Sequence, residues 1–136
     1  MANMKIEEVE GIGPAFGEKL RTAGITHTDK LLEAGCTKPG RKDLAEKTGI
    51  SEAKLLDWVN MVDLCRVNGI GAEFAELLEC SGVDTVKELA TRNAENLAAK
   101  CAEVNEEKKL TRRVPNAEVV QGWIDQAKDL PPKVEY

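Results

Sequence analysis

The chain has 136 residues, 42% of them apolar and 4% aromatic, with 19 basic against 24 acidic side chains and a formal charge of -5. That length holds one domain or two very small ones. The acidic balance excludes nucleic-acid binding by bulk charge, because such affinity comes from lysines and arginines displacing counterions from phosphates. No window approaches the roughly 18 uninterrupted apolar residues of a spanning helix, and the N-terminus lacks the pattern of a signal peptide, so the expectation is a soluble cytoplasmic protein without a membrane partner.

In chain order, a short helix is predicted to end at Val9. Gly11-Ile12-Gly13 turns the chain tightly around one buried isoleucine, and a helix starts near Pro14, a residue favoured at the first helical position. Phe16, Leu20 and Ala23 recur at helical spacing, and Gly24 stops that helix. Thr28 reads as the cap of a short helix through Leu32, with His27 facing solvent. A helix over Gly40 to Thr48 precedes a longer one, opened by Ser51 and running to about Cys65, with Leu55, Leu56, Val59 and Val62 on one face. A second hairpin, Gly69-Ile70-Gly71, leads into a helix whose apolar side is Phe74, Leu77, Leu78 and Cys80 and whose stop is Gly82. Thr85 to Glu88 has the spacing of a capping box. Helices over Asn93 to Ala102 and from Asn116 through Ala127 follow, then an extended tail, 131–136. Strand-like alternation is absent, which makes the chain all-α.

The strongest signal is internal. Residues 9–25 reappear as 67–83 at an offset of 58, with valine, Gly-Ile-Gly, phenylalanine, glutamate, leucine and the stopping glycine in matching places. Self-similarity at one offset marks a duplicated supersecondary unit. The units are 1–65 and 66–130, the second carrying a helical insertion around Val104 to Pro115. No Gly/Ser or Pro-rich linker separates them, so they are expected to pack as one rigid body. Trp58 and Trp123 occupy equivalent apolar faces and read as core.

Cys36, Cys65, Cys80 and Cys101 lie far apart and His27 is the sole histidine, so no zinc or iron-sulfur spacing exists. Without a secretory signal, the cysteines read as reduced thiols filling a helical core. Two basic stretches, Lys38-Arg41-Lys42-Lys47 and Lys108-Lys109-Arg112-Arg113, read as solvated helix faces.

At Gly11-Ile12-Gly13 and Gly69-Ile70-Gly71 the sequence resembles the helix-hairpin-helix superfamily. From about Ile6 to Leu130, including the 40–51 and 104–110 stretches, it is similar to a bacterial family of unassigned role, domain of unknown function 4332. The resemblance implies tandem helix-hairpin-helix units with a SAM-like five-helix arrangement, duplicated. It also implies contact with a DNA or RNA backbone without sequence reading, and some hairpins of this class hold a monovalent cation on their carbonyls; no other cofactor and no metal is expected. Carried over residue by residue, the first hairpin offers the amides of Gly11, Gly13 and Ala15, with Lys19 and Arg21 as helpers. Helix N-terminal amides and the helix dipole suit a phosphate there, although Pro14 supplies no N-H.

The second hairpin departs from that pattern. Glu73, Glu76 and Glu79 follow Gly71 at helical spacing, and no lysine or arginine occurs between Arg66 and Lys87. Carboxylates repel a phosphate, so Gly69, Ile70 and Gly71 read as structural. Base-excision enzymes of the superfamily place a catalytic aspartate, often with a lysine, after the hairpin in a larger helical body with a base-holding pocket; this chain offers no such arrangement. The expected function is a non-catalytic module binding a nucleic-acid backbone through the first hairpin, or a protein-interaction module with an unidentified partner. Charge does not favour the first strongly: residues 1–64 carry 9 basic and 11 acidic side chains, residues 65–136 carry 10 and 13.

Overall fold

A computed structural model describes residues 4–9 and 11–135; Glu10 of the repeated segment and Tyr136 of the tail lie outside the described residues. Among these the chain is all-α. A 3-10 turn, Ile6–Glu8, precedes α1 (Gly13–Thr22), α2 (Thr28–Gly35), α3 (Lys38–Thr48), α4 (Glu52–Leu64), α5 (Ala72–Cys80), α6 (Val86–Leu89), α7 (Ala94–Lys108) and α8 (Ala117–Asp129). Among the described residues the one extended pairing is an isolated antiparallel bridge between Lys5 and His27.

The helices divide between two compact units, one formed by residues 4–63 with 133–135 and the other by Leu64–Pro132. In the first, α1 packs on the 3-10 turn and on α3, and α2 packs on α3. Ile6, Leu20, Leu31 and Leu55 are fully buried there. In the second, α7 packs on α8 and α5, and α6 packs on α8, burying Leu77, Leu78, Leu89 and Val120. Complete burial of one such side chain stabilises by about 1.5–3 kcal/mol.

Local chemistry explains where most helices begin. Thr37 accepts from the Gly40 amide (3.1 Å) at the start of α3, Ser51 from Lys54 (3.2 Å) at α4, and Thr85 from Glu88 (3.3 Å) at α6. Asn93 accepts from Asn96 (3.1 Å) and Asn116 from Val119 (2.9 Å), opening α7 and α8. Each such cap satisfies an amide with no intrahelical partner. Helices α1 and α5 start without a capping side chain.

The ends of α1 and α5 are matched. Gly24 donates to the Arg21 carbonyl (2.9 Å) and Ile25 to Leu20 (2.9 Å); Gly82 donates to Glu79 (3.0 Å) and Val83 to Leu78 (2.9 Å). Both are Schellman closures around a left-handed glycine, φ 89° at Gly24 and 93° at Gly82, sealed by a buried apolar pair.

Several expectations are corrected. His27, not Thr28, occupies the N-cap position of α2, and its ring makes no cap. Thr28 is instead buried, its hydroxyl accepting from the Met4 amide at 3.0 Å. Helix α3 starts at Lys38, two residues before the expected Gly40, because Thr37 caps it and Pro39 suits the first turn. Helix α7 runs on to Lys108 instead of stopping at Ala102. Val104 and Asn105 are buried in that extension. Asn105 clamps the following loop, donating to the Thr111 carbonyl (3.0 Å) and accepting from its amide (2.9 Å).

The basic stretch 38–47 is not a uniformly solvated face. Arg41 is 3% exposed, donating to the Gly35 carbonyl at the end of α2 (2.9 Å) and to the Glu135 carbonyl (2.6 Å). Glu135 in turn donates to the Cys36 carbonyl at 2.7 Å. A guanidinium at a helix C-terminus meets unpaired carbonyls and the negative end of the dipole, which is why Arg41 is drawn inward.

Candidate nucleic-acid interface

The two Gly-Ile-Gly hairpins share a frame and differ in their surroundings. Gly11 (φ 89°) and Gly69 (φ 99°) take the left-handed conformation. Ile12 and Ile70 are buried, and each donates back to a valine carbonyl, Val9 at 3.2 Å and Val67 at 3.1 Å. A Cβ on Gly11 would lie 3.3 Å from the indole nitrogen of Trp58, and one on Gly69 would lie 3.1 Å from that of Trp123. The indoles are met in turn by Phe16 and Phe74 in tilted ring contacts, with centroids 5.3 Å and 5.2 Å apart and planes inclined at 59° and 57°. Trp58 and Trp123 are 65 residues apart, seven more than the 58 separating the glycines. Both indoles are buried, as the sequence led one to expect.

The third hairpin position breaks the correspondence. Gly13 has φ 63°, whereas Gly71 is extended at φ -99°. Gly13 precedes Pro14 while Gly71 precedes Ala72, and neither takes the right-handed helical conformation. A Cβ on either would meet nothing within 4 Å, so the space beside both is open.

Of the residues singled out in the first hairpin, Ala15 and Lys19 line an open cleft of about 410 Å³ between α1 and α3, together with Glu18, Thr22, Lys47 and Thr48. Lys47 also pairs with Asp43 at 3.0 Å. Arg21 is engaged elsewhere, in an ion pair with Glu7 at 3.3 Å. Lys54 is the residue that sequence reasoning missed. From α4 its ammonium reaches to 5.0 Å from the centre of the Phe16 ring, and that of Lys19 to 5.8 Å. Both distances are within cation-π range, and among the described residues neither lysine has a carboxylate within ion-pair distance. Its place four residues before Trp58, one helical turn, was the available signal.

The second unit presents a different chemistry at equivalent places. Leu77, buried, stands where Lys19 stands, and Val119, 44% exposed, lies four residues before Trp123 as Lys54 lies before Trp58. Glu73 replaces Ala15 and is exposed. Burial raises the pKa of Cys80; Lys108, with its ammonium 3.9 Å from the sulfur, opposes this, and half-buried Glu76 and Glu79 add smaller upward effects. The basic run 108–113 therefore contributes one lysine to a thiol pair and another, Lys109, to the left-handed end of α7 (φ 52°).

All four cysteines are free, with Cys65 and Cys101 buried and Cys36 and Cys80 half-buried. Among the described residues no group of three or more histidine, cysteine, aspartate or glutamate side chains is arranged to hold a metal ion, and no helix is long and apolar enough to cross a membrane.

Comparison with curated proteins and comparison with solved structures each return no match. Comparison with protein families does: the pattern described as "Domain of unknown function (DUF4332)" matches residues 10–130. The match spans both hairpins, both stacked indoles and all eight helices, and the chain belongs to that family.

Proposed function

We propose that the chain is a non-catalytic module of two tandem helix-hairpin-helix units, working in a reducing cytosol, whose first unit engages a DNA or RNA backbone without reading sequence. The duplicated reading is supported by the paired Schellman closures, the paired left-handed glycines and the near-identical Phe16-Trp58 and Phe74-Trp123 stacks. The observation that carries the binding reading is the placement of Lys19 and Lys54 over Phe16, on the helix whose first turn lacks a capping side chain. Unsatisfied amides and the positive end of the helix dipole favour an anion, and two lysines beside them supply charge for a neighbouring phosphate. The groups brought together are those of recognition: ammonium ions, an aromatic ring and backbone amides.

With two or three lysines contributing, the logarithm of affinity falls by about two to three per decade of salt on duplex DNA. Fluorescence anisotropy of labelled duplex and single-stranded DNA at low salt tests this. Lys19→Glu/Lys54→Glu is expected to abolish binding, while Arg21→Glu, already paired to Glu7, weakens it less. Equal binding by wild type and the double variant, or none by either, overturns the reading.

A second reading, protein interaction through the second unit, is favoured by the exposed Val119 and the half-buried Phe74. Glu73 and Glu118 precede them directly in sequence.

A further inference from the structure

The faces built around the two stacked phenylalanines have opposite character. Phe16 is flanked by Lys19 and Lys54, with ring-to-ammonium distances of 5.8 and 5.0 Å. Phe74 sits on its tryptophan in the same geometry. The equivalent of Lys54 is Val119, one of the two large apolar side chains left widely exposed among the described residues. Exposed Glu73 precedes Phe74, and exposed Glu118 precedes Val119 on the first turn of α8. A half-buried ring with two ammonium groups over it therefore occurs on one unit; on the other, a half-buried ring in the same relation to its tryptophan has exposed Val119 at the position equivalent to Lys54, with Glu73 and Glu118 next in sequence to the ring and to Val119.

We infer that copies of this chain associate head to tail, the Phe16 face of one copy docking on the Phe74 face of another. The occupant of the acidic, apolar face is a second copy because the chain itself carries the complementary surface: two ammonium groups to meet Glu73 and Glu118, and a ring edge to cover Val119. Such an interface is heterologous, so a pair joined by one contact keeps one free face of each kind, one on each copy, and association runs on into chains or closes into rings. Charge complementarity makes it weak and dependent on salt. The inference rests on the interaction reading of the second unit and not on nucleic-acid binding.

Sedimentation velocity on the full chain tests it. At low salt the weight-average mass of the wild type is expected to rise with concentration to about twice the 14.9 kDa of one copy and beyond. It returns to one copy in 1 M salt, where the screening length is about 3 Å. Lys19→Glu/Lys54→Glu and Glu73→Gln/Glu118→Gln alter exposed side chains, and circular dichroism verifies their folding. Each alone stays monomeric. Mixed in equal amounts they form a dimer and stop, since only the intact acidic face of the first variant and the intact basic face of the second can pair. A monomeric wild type at every concentration, variants that associate as the wild type does, or a mixture that stays monomeric would each overturn the inference. Glu73→Gln/Glu118→Gln keeps Lys19 and Lys54, so its DNA binding is read separately: loss of self-association with binding retained separates the two proposals.

Discussion

The Trp58 indole nitrogen stands 3.3 Å from where a Cβ on Gly11 would be, and Trp123 stands in the same relation to Gly69 at 3.1 Å. A hairpin glycine is thus held by two constraints at once, a left-handed backbone and a ring closing on its hydrogen. Gly71 has neither, being extended with open space beside it. Gly11→Ala and Gly69→Ala are expected to cost about 1–3 kcal/mol each, the range for strained left-handed backbone. Gly71→Ala stays within about 0.5 kcal/mol, as at an unconstrained surface site. Urea denaturation of the three variants measures the difference.

Arg41 sets up a second prediction. Its two hydrogen bonds go to carbonyls on either side of it in the sequence, Gly35, six residues before it, and Glu135, 94 residues after it. Arg41→Met keeps most of the buried stem but removes both bonds, and bonds to charged groups contribute about 1.5–3 kcal/mol each. Exposed Lys42→Met costs no more than about 0.5 kcal/mol. Deleting 133–136 removes one of the two acceptors, so the deletion destabilises wild type more than it destabilises Arg41→Met, a coupling that a double-mutant cycle reads directly.

The thiols make stability depend on alkaline pH. Burial pushes Cys101 above its ordinary value of 9.0, against a smaller opposing hydrogen bond from Ser81, and burial likewise dominates at Cys80. A thiol raised in the folded state ionises first in the unfolded chain. Its contribution is fully present below pH 9 and is lost as pH rises through the folded value. Cys101→Ala is expected to flatten the decline in stability above pH 9. Lys108→Gln removes the charge that favours the Cys80 thiolate, and iodoacetamide labelling of Cys80 at pH 8 slows by about twofold or more. Urea denaturation across pH measures the first, and mass spectrometry of the labelled Cys80 peptide the second.

The helical elements were legible because they rest on local chemistry. Asn93, Asn116 and Thr85 announce helix starts, and Gly24 and Gly82 announce ends, each through a backbone requirement that one residue type meets. The offset of 58 carried the two stacks, since Phe16 and Phe74 keep their place in it. Residues whose role depends on distant chain were not legible. Arg41 reads as one of four basic residues in a run, and its burial follows from the meeting of the end of α2 with Glu135. Lys54 reaches Phe16 across 38 residues of sequence, and Arg21 is withdrawn by Glu7 from a turn that sequence alone leaves separate. Helix α7 overran its expected end because Lys109 takes a left-handed conformation usually left to glycine, held by the clamp of Asn105 on Thr111.

The asymmetry between the hairpins is the centre of the account, and amide chemical-shift mapping tests it residue by residue. A short single-stranded oligonucleotide titrated at low salt into the isotope-labelled full chain, kept below the concentration at which copies associate, is expected to move the amides of Gly13, Ala15, Phe16 and Lys19. Those of Gly71, Glu73, Phe74 and Leu77 stay in place. Shifts confined to the second hairpin, or an unchanged spectrum at saturating oligonucleotide, would contradict it.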